Sequence, residues 1–294
     1  MSKYVIITDS ACDLSKEYRQ IHNIEYAKMM LNWTDENNVS HEQFADLDWE
    51  ILSLKEFYDI ERRGIRIFTS QITQKHYLDL FTPHLEKGED ILYLAVSSGL
   101  SSSIKTCYSA IEELKAKYPN NRVVVVDTLR AGMAQGLIVM RAVELKDEGK
   151  SLDDVVKIIE QEKLSYKEVG IPESLIYLKR AGRVKAAAAF FGGMVSLKPI
   201  LVFDENGCNY ACDKAIGKKA AFRRMAEMIR DDIVDANNQE IYLMHADCKE
   251  EDIQNFKDAI SAQVTVKNIR VEPLGPIIGA SSGPGTIIVN YRGK

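Results

Sequence analysis

The sequence predicts two α/β domains, and three observations carry that prediction. The chain has 294 residues, which is enough for two separate cores. In the first half, short β-branched runs alternate with longer helical patterns, as in a parallel sheet covered on both faces. In the second half a hairpin pattern appears, which requires antiparallel pairing. We therefore predict a doubly wound parallel sheet over residues 1–150 and a mixed-sheet α+β domain over residues 151–294.

Four apolar runs supply the predicted parallel strands of the first domain. Apart from Arg66, they are continuous apolar runs, as expected where neither face of a sheet meets water. They are residues 5–7, 65–68, 91–96 and 123–126. A helical pattern follows each run, most clearly after residue 103 and again over residues 131–146.

The second domain shows a different order of elements. Residues 198–210 predict a β-hairpin around Glu205-Asn206-Gly207. The later elements are a basic helix at 218–233, a strand at 241–244, a helix at 251–260, and two strands flanking residues 279–285. This order indicates a mixed sheet with helices.

Composition and charge exclude several classes of function. With 38 Lys and Arg against 43 Asp and Glu, the formal charge of -5 gives no positive field for nucleic acid or an anionic membrane. Five irregularly spaced cysteines fit reduced thiols better than a disulfide framework. The N-terminus becomes acidic too soon for a signal peptide, and the longest apolar stretch, residues 186–195, is about half a membrane span. We expect a cytoplasmic protein without nucleic-acid or integral membrane contacts.

Three catalytic classes lack the residues they need. Gly279-Ala280-Ser281-Ser282-Gly283 matches the Gly-x-Ser-x-Gly pattern of serine hydrolases, but a β-branched run and no histidine follow it. The five histidines have no partner at metal-ligand spacing, the cysteines form no zinc knuckle, and no P-loop motif is present. We predict no catalytic residue, no metal and no cofactor. A serine-dependent enzyme acting on a small carboxylate or acyl ester is kept as the alternative.

Hydroxyl-rich stretches are the remaining candidates for a functional site. Thr69 and Ser70 follow one predicted parallel strand, and Ser97 and Ser98 follow the next. The carboxyl ends of parallel strands meet at one edge of the sheet, where ligands usually bind. Hydroxyls and amide groups beside helix N-termini suit an anion, and neutral donors suit a carboxylate that is held reversibly. These four residues therefore predict a carboxylate clamp.

Helix capping is the competing interpretation for the same residue types. Asp and Ser at strand ends commonly cap the next helix. We expect capping of Asp9, Ser10 and Asp13, and we expect residues 101–103 to cap the helix that follows them.

Seven short motifs are spread along almost the whole chain. They are Thr8-Asp9-Ser10, Thr69-Ser70-Gln71, Ser97-Ser98-Gly99-Leu100-Ser101, Val126-Asp127-Thr128, residues 177–184, Leu197-Lys198-Pro199-Ile200 and residues 279–285. Each is weak by itself. In this order and spacing the chain resembles the DegV family of bacterial fatty-acid-binding proteins.

The resemblance implies a ligand and a role. It implies one long-chain fatty acid buried between the two domains, with its carboxylate hydrogen-bonded by Thr69 with Ser70 and by Ser98 with Ser97. Ser281 stands where many members have a histidine of the carboxylate network. The better-known members present the acid to a partner fatty-acid kinase, whose acyl phosphate product enters phospholipid synthesis. The chain would then be a lipid carrier and not an enzyme, with the fatty acid as its ligand.

The apolar stretch 186–195 is the candidate for contact with the lipid tail. Phe190, Phe191 and Met194 lie there between small residues, which leave room for an acyl chain. Each buried methylene contributes about 0.8 kcal/mol to binding. The alternative is that this segment packs within the core of the second domain.

One departure from the family bears on the partner. Ile216 stands where members that dock with the kinase tend to carry arginine. A lipid sensor without kinase coupling therefore stays open beside the carrier.

Overall fold

The computed structural model describes residues 3–185 and 196–294. The strands in chain order are β1 (Tyr4–Asp9), β2 (Glu25–Ala27), β3 (Met30–Thr34), β4 (Ser40–Phe44), β5 (Phe68–Ser70), β6 (Asp90–Ala95), β7 (Val123–Asp127), β8 (Tyr166–Ile171), β9 (Val184–Lys185), β10 (Leu197–Phe203), β11 (Asn209–Ile216), β12 (Glu240–His245), β13 (Asn268–Pro273) and β14 (Ile287–Arg292). The helices are α1 (Lys16–Ile21), α2 (Leu54–Arg62), α3 (Gln74–Glu86), α4 (Ser103–Lys117), α5 (Gly132–Asp147), α6 (Leu152–Glu162), α7 (Leu175–Ala181), α8 (Lys218–Asp232), α9 (Glu250–Ser261) and α10 (Pro276–Ser282).

These elements form two compact units, and neither unit is one continuous stretch of chain. The first contains Met1–Ile51, Ile67–Leu164 and Gly275–Ile277. The second contains Leu52–Arg66, Ser165–Leu274 and Ile278–Lys294. Helix α2 thus belongs to the second unit although it precedes most of the first in sequence.

The first unit holds the predicted parallel sheet, in the order β2-β1-β6-β7. All three strand pairs are parallel. Strand β6 is buried along its whole length, which explains why its sequence does not alternate. The chain passes from β1 to β2 in one direction and from β6 to β7 in the other. The carboxyl ends of β1 and β6 therefore flank the switch point where open α/β sheets bind ligands.

The prediction of a parallel strand over residues 65–68 is wrong. The strand here is β5, shifted to Phe68–Ser70, and it belongs to a separate antiparallel sheet of order β4-β3-β5. Leu31 of β3 lies opposite Thr69. The apolar run did not mark a buried strand, because Phe68 and Ser70 of β5 are exposed and Thr69 is only partly buried. Which sheet a strand joins depends on partners far away in sequence.

The second unit confirms the mixed-sheet prediction. Its seven strands lie in the order β13-β12-β14-β8-β10-β11-β9. Strands β10 and β11 form the predicted hairpin, β12 and β13 are parallel, and β14 is antiparallel to both β12 and β8. Helices α8 and α9 contact each other through the stacked rings of Phe222 and Phe256, whose centroids are 4.8 Å apart.

Candidate functional site

The loop after β6 donates its own amide groups within the first unit. The N–H of Ser98 donates to Asp127 Oδ1 over 3.2 Å, and the N–H of Gly99 donates to Ser97 Oγ over 3.1 Å. The amides of Leu100 and Ser101 both donate to the Ser97 carbonyl over 3.0 Å. A ligand at this loop must therefore be held by side-chain hydroxyls rather than by these amides.

Ser97 and Ser98 have different surroundings in this loop. Ser97 is fully buried, and its Oγ accepts the Gly99 amide, so its side chain supports the turn. Ser98 is exposed, and its backbone is held by Asp127. Of the two predicted clamp residues after β6, Ser98 is the one whose side chain faces outward.

Thr69 and Ser70 are separated by the alternation of strand β5. Residues directly opposite each other in a sheet share a face, so Thr69 lies on the face of the buried Leu31. Ser70 lies on the other face, where its Oγ accepts a hydrogen bond from Asn32 Nδ2 over 2.9 Å. Thr69 therefore does not share its side of the sheet with Ser70.

The structure nevertheless brings the two hydroxyl motifs together. The N–H of Ile72 donates to Ser103 Oγ over 3.2 Å, and Ser102 Oγ donates to the side chain of Gln71. The segment that follows Thr69 is thus bonded directly to the loop that carries Ser98. The two motifs are joined through Gln71, Ile72, Ser102 and Ser103, whereas the prediction that both follow strands of one parallel sheet is wrong.

The three serines predicted to cap α4 make different hydrogen bonds. Ser102 occupies the N-cap position without a side-chain capping bond. Ser101 Oγ accepts the amide of Ser103 over 3.2 Å and lies 2.9 Å from Ser103 Oγ. Ser101 therefore stabilises the start of the helix, and Ser103 joins it to the other motif.

Two hydroxyls of the predicted clamp remain available for a ligand. Within residues 3–185 and 196–294, the side chains of Thr69 and Ser98 make no hydrogen bond. No lysine, arginine or histidine of that part of the chain bonds to either hydroxyl. The arrangement offers neutral donors to an anion, and a hydrogen bond to a charged group is worth about 1.5–3 kcal/mol.

The capping prediction is wrong for the residues after β1. Helix α1 is capped by Ser15, whose Oγ accepts the Tyr18 amide. Ser10 Oγ accepts the Met29 amide over 3.0 Å instead. Asp9 is completely buried among hydrogen-bond donors. An acidic residue at a strand end is compatible both with helix capping and with a buried hydrogen-bond acceptor, so the sequence alone does not distinguish the two roles of Asp9.

Asp13 is a second buried carboxyl that the capping interpretation missed. It adopts a left-handed backbone conformation with φ of 50°. Burial raises its pKa to about 8, against the opposing effect of the Gly275 amide. A Cβ atom at Gly275 would lie 2.2 Å from Asp13 Oδ1, so only glycine fits there.

The stretch that contains Ser281 lies in the second unit from Ile278 onward. Ser281 is half-buried near the end of α10, and Ser282 Oγ donates to the Ile278 carbonyl over 2.8 Å. A nucleophile elbow places serine between a strand and a following helix, whereas here a helix precedes it and a turn follows. The local structure therefore differs from that of a serine hydrolase.

The predicted tail contacts Phe190, Phe191 and Met194 lie outside the described residues. In the part of the chain that is described, no three His, Cys, Asp or Glu side chains are grouped to hold a metal ion. Among the same residues, no helix has both the length and the apolar character needed to cross a membrane.

Comparison with known proteins decides the family. Residues 3–293 match a family model whose description is "Uncharacterised protein, DegV family". The chain belongs to the DegV family. A DegV domain-containing protein of Clostridium perfringens is 34% identical over 293 residues, covering 100% of this chain and 98% of the relative.

Solved DegV structures share the fold. A DegV family protein from Thermus thermophilus, described as binding fatty acid, is 26% identical and has a TM-score of 0.85, covering 99% of this chain and 100% of its own. DegV from Bacillus subtilis, described as a fatty acid binding protein, is 24% identical with a TM-score of 0.83 and covers both chains fully. The α/β architecture is thus the DegV fold.

Proposed function

We propose that this chain binds one long-chain fatty acid and that the hydroxyls of Thr69 and Ser98 hold its carboxylate. The observation that carries the proposal is the pair of hydroxyls without a partner among the described residues, on two segments that are bonded to each other. The fatty-acid-binding relative from Thermus thermophilus supports the choice of ligand.

The remaining predicted site residues take different places in this proposal. Ser97 supports the turn that orients Ser98, because its Oγ holds the Gly99 amide. Ser70 bonds with Asn32 on the other face of β5. Ser281 stays a predicted contributor to carboxylate binding. Phe190, Phe191 and Met194 stay the predicted contacts of the lipid tail.

The two ends of the ligand contribute differently to binding. A tail of about sixteen carbons, at about 0.8 kcal/mol per buried methylene, supplies most of the affinity. Two hydroxyl donors then fix which end of the lipid is held. Because the donors are neutral and Ser98 is exposed, the acid can be released or passed on without breaking an ion pair.

The proposed role is that of a carrier whose acid is phosphorylated by a partner fatty-acid kinase, at a site in the cytoplasm. The exposed position of Ser98 supports access to the carboxylate. Ile216, which is 65% exposed at the end of β11, favours the second candidate, a lipid sensor without a kinase. An exposed isoleucine offers a docking protein no charge to pair with.

The double variant Thr69→Ala/Ser98→Ala tests the site. We expect the purified variant to lose co-purified fatty acid, measured by mass spectrometry after denaturation, while its melting temperature stays unchanged. Ser109→Ala is the matched control, because this exposed hydroxyl bonds, within the described part of the chain, to the Lys105 carbonyl one turn earlier and to no other group. Normal fatty-acid occupancy in the double variant would show that the site is wrong.

Acyl phosphate formation tests the carrier role. Loaded protein, ATP and a purified bacterial fatty-acid kinase are combined, and the product is trapped with hydroxylamine. Product that depends on this chain supports the carrier, whereas its absence with fully loaded protein supports the sensor. Labelling of Ser98 or Ser281 by a fluorophosphonate would instead support the serine-dependent enzyme.

A further inference from the structure

Asp9 lies at the switch point of the parallel sheet, at the carboxyl end of β1 beside the end of β6. Its side chain is completely buried and accepts four hydrogen bonds. Oδ2 accepts the Val96 amide over 2.7 Å and the Tyr93 hydroxyl over 3.1 Å. Oδ1 accepts the Ala11 amide over 3.1 Å and Gln135 Nε2 over 3.2 Å.

The first connection runs from Asp9 to the loop of Ser98. Val96 is the residue immediately before Ser97 and Ser98, so its bond to Asp9 fixes where the chain leaves β6. The bond is short, and one partner is a carboxylate, which makes it stronger than a bond between neutral groups.

The second connection runs from Asp9 to the segment of Thr69. Because Tyr93 donates its proton to Asp9, Tyr77 is the donor of the 2.9 Å bond between the two hydroxyls. The Tyr77 oxygen also lies 3.3 Å from the Ser103 carbonyl, which can share the same proton. Tyr77 lies in the first turn of α3, which begins four residues after Ser70. Both tyrosines are fully buried, so their hydroxyls depend on this chain of bonds for partners.

We propose that Asp9 is a positioning residue that fixes the positions of the two carboxylate-binding hydroxyls, those of Thr69 and Ser98, relative to each other. This rests on the proposed function. Asp9 does not touch the ligand in this proposal. It acts through Val96 on Ser98, and through Tyr93 and Tyr77 on the segment that carries Thr69.

The chemistry of the site explains why a carboxylate is needed there. All four groups that face Asp9 donate hydrogen bonds, and an ionised carboxylate is a pure acceptor. Burial raises the pKa of Asp9, and the four donors oppose that effect. An asparagine would turn an NH₂ group toward at least one of these donors, which would leave a buried donor unpaired.

The test separates positioning of the carboxylate from general stability. Affinities for octadecanoic acid and for octadecanol are measured by displacement of a fluorescent fatty acid. We expect Asp9→Asn to weaken binding of the acid by about tenfold or more, with the alcohol unaffected. Tyr291→Phe is the control, because it removes another buried side-chain bond to a carboxylate, over 3.1 Å to Asp232 in the second unit.

Two further variants cover the case in which Asp9→Asn does not fold. Tyr93→Phe and Tyr77→Phe each remove one hydroxyl of the network and keep the ring. We expect both to reduce the preference for acid over alcohol, Tyr93→Phe more strongly. An unchanged preference in the variants that fold would overturn the role of Asp9, while a wild-type protein without any preference would overturn the proposed function instead.

Discussion

Two serine- and glycine-rich stretches of this chain have similar compositions and different structures. Residues 97–103 form the loop after β6, where amides bond within the loop and Ser98 faces outward. Residues 279–285 form the end of α10 and the turn after it. The first stretch presents a hydroxyl, whereas the second lets other parts of the unit approach the backbone closely.

Two glycines of the second stretch, Gly279 and Gly283, lie against aromatic side chains. A Cβ atom at Gly279 would lie 2.5 Å from Tyr58 Oη, and one at Gly283 would lie 2.2 Å from the Tyr177 ring. In the loop of Ser98, the Gly99 amide donates a hydrogen bond to Ser97 Oγ, which shapes the turn. Composition therefore predicts a loop in both places, but only the structure shows which stretch exposes a hydroxyl and which packs its glycines against other side chains.

The largest effect is expected from Gly283→Ala. Gly283 has φ of +79°, and the new Cβ would overlap the Tyr177 ring, so we expect a loss of about 3 kcal/mol or more in the free energy of unfolding. Gly64→Ala is the matched control, because Gly64 has φ of +86° with nothing within 4 Å and bears only the backbone strain. Chemical denaturation measures both variants. Equal losses would contradict tight packing at Gly283.

The next effect concerns a buried carboxyl in the same region. Tyr177 donates to the Glu61 carbonyl over 3.1 Å, and burial raises the pKa of the Glu61 carboxyl from 4.5 to about 8, against the opposing effect of Arg62. Between these values the folded state binds one proton more than the unfolded state, so the free energy of unfolding falls as pH rises from about 4 to 8.

Glu61→Gln should remove the part of this pH dependence that Glu61 contributes, whereas Asp13, whose pKa is also raised to about 8, keeps its own part. We expect the variant to melt at a higher temperature than the wild type at pH 8.5 and at a similar temperature near pH 5. The measurement is thermal denaturation of both proteins in a series of buffers about half a pH unit apart. Glu112→Gln, at an exposed position of α4, is the control and should change neither value. Melting temperatures of the wild type and Glu61→Gln that change in parallel between pH 5 and pH 8.5 would contradict the assignment.

The smallest effects distinguish the two serines after β6. Ser97→Ala removes the acceptor of the Gly99 amide at a buried position, and we expect a loss of about 1 kcal/mol in the free energy of unfolding. Ser98→Ala should leave stability unchanged and weaken fatty-acid binding. Thermal melting and ligand displacement are measured on both variants. If Ser98→Ala lowered stability and Ser97→Ala weakened fatty-acid binding without lowering stability, the roles assigned to the two residues would be wrong.

The strength of local sequence patterns explains how much of the fold and of the candidate site could be predicted from the sequence. Strands β1, β6 and β7 and the β10–β11 hairpin were predicted because apolar runs and turn residues specify them locally. Ser151 caps α6 in the same local way, with its Oγ accepting the Asp154 amide over 3.2 Å. The motifs of Thr69 and Ser98 indicate the candidate site from residue types and spacing alone.

Other features depend on residues that are distant in sequence. The antiparallel pairing of β5 depends on Leu31, and the role of Asp9 depends on donors from Val96 and Gln135. No local pattern encodes such partners. The same holds for the loop amides, which the sequence offered as anion ligands and which bond within the first unit instead.

The sequence by itself determined the family, the fold class and the hydroxyl residues around which the proposed site is built, because these follow from the identity and order of residues along the chain. Only the tertiary structure decided which of these hydroxyls have no hydrogen-bond partner among the described residues and can therefore donate to a ligand. That depends on burial and on partners brought together by folding, which turned Asp9 from an expected cap into a buried acceptor and put Thr69 and Ser70 on opposite faces of a strand.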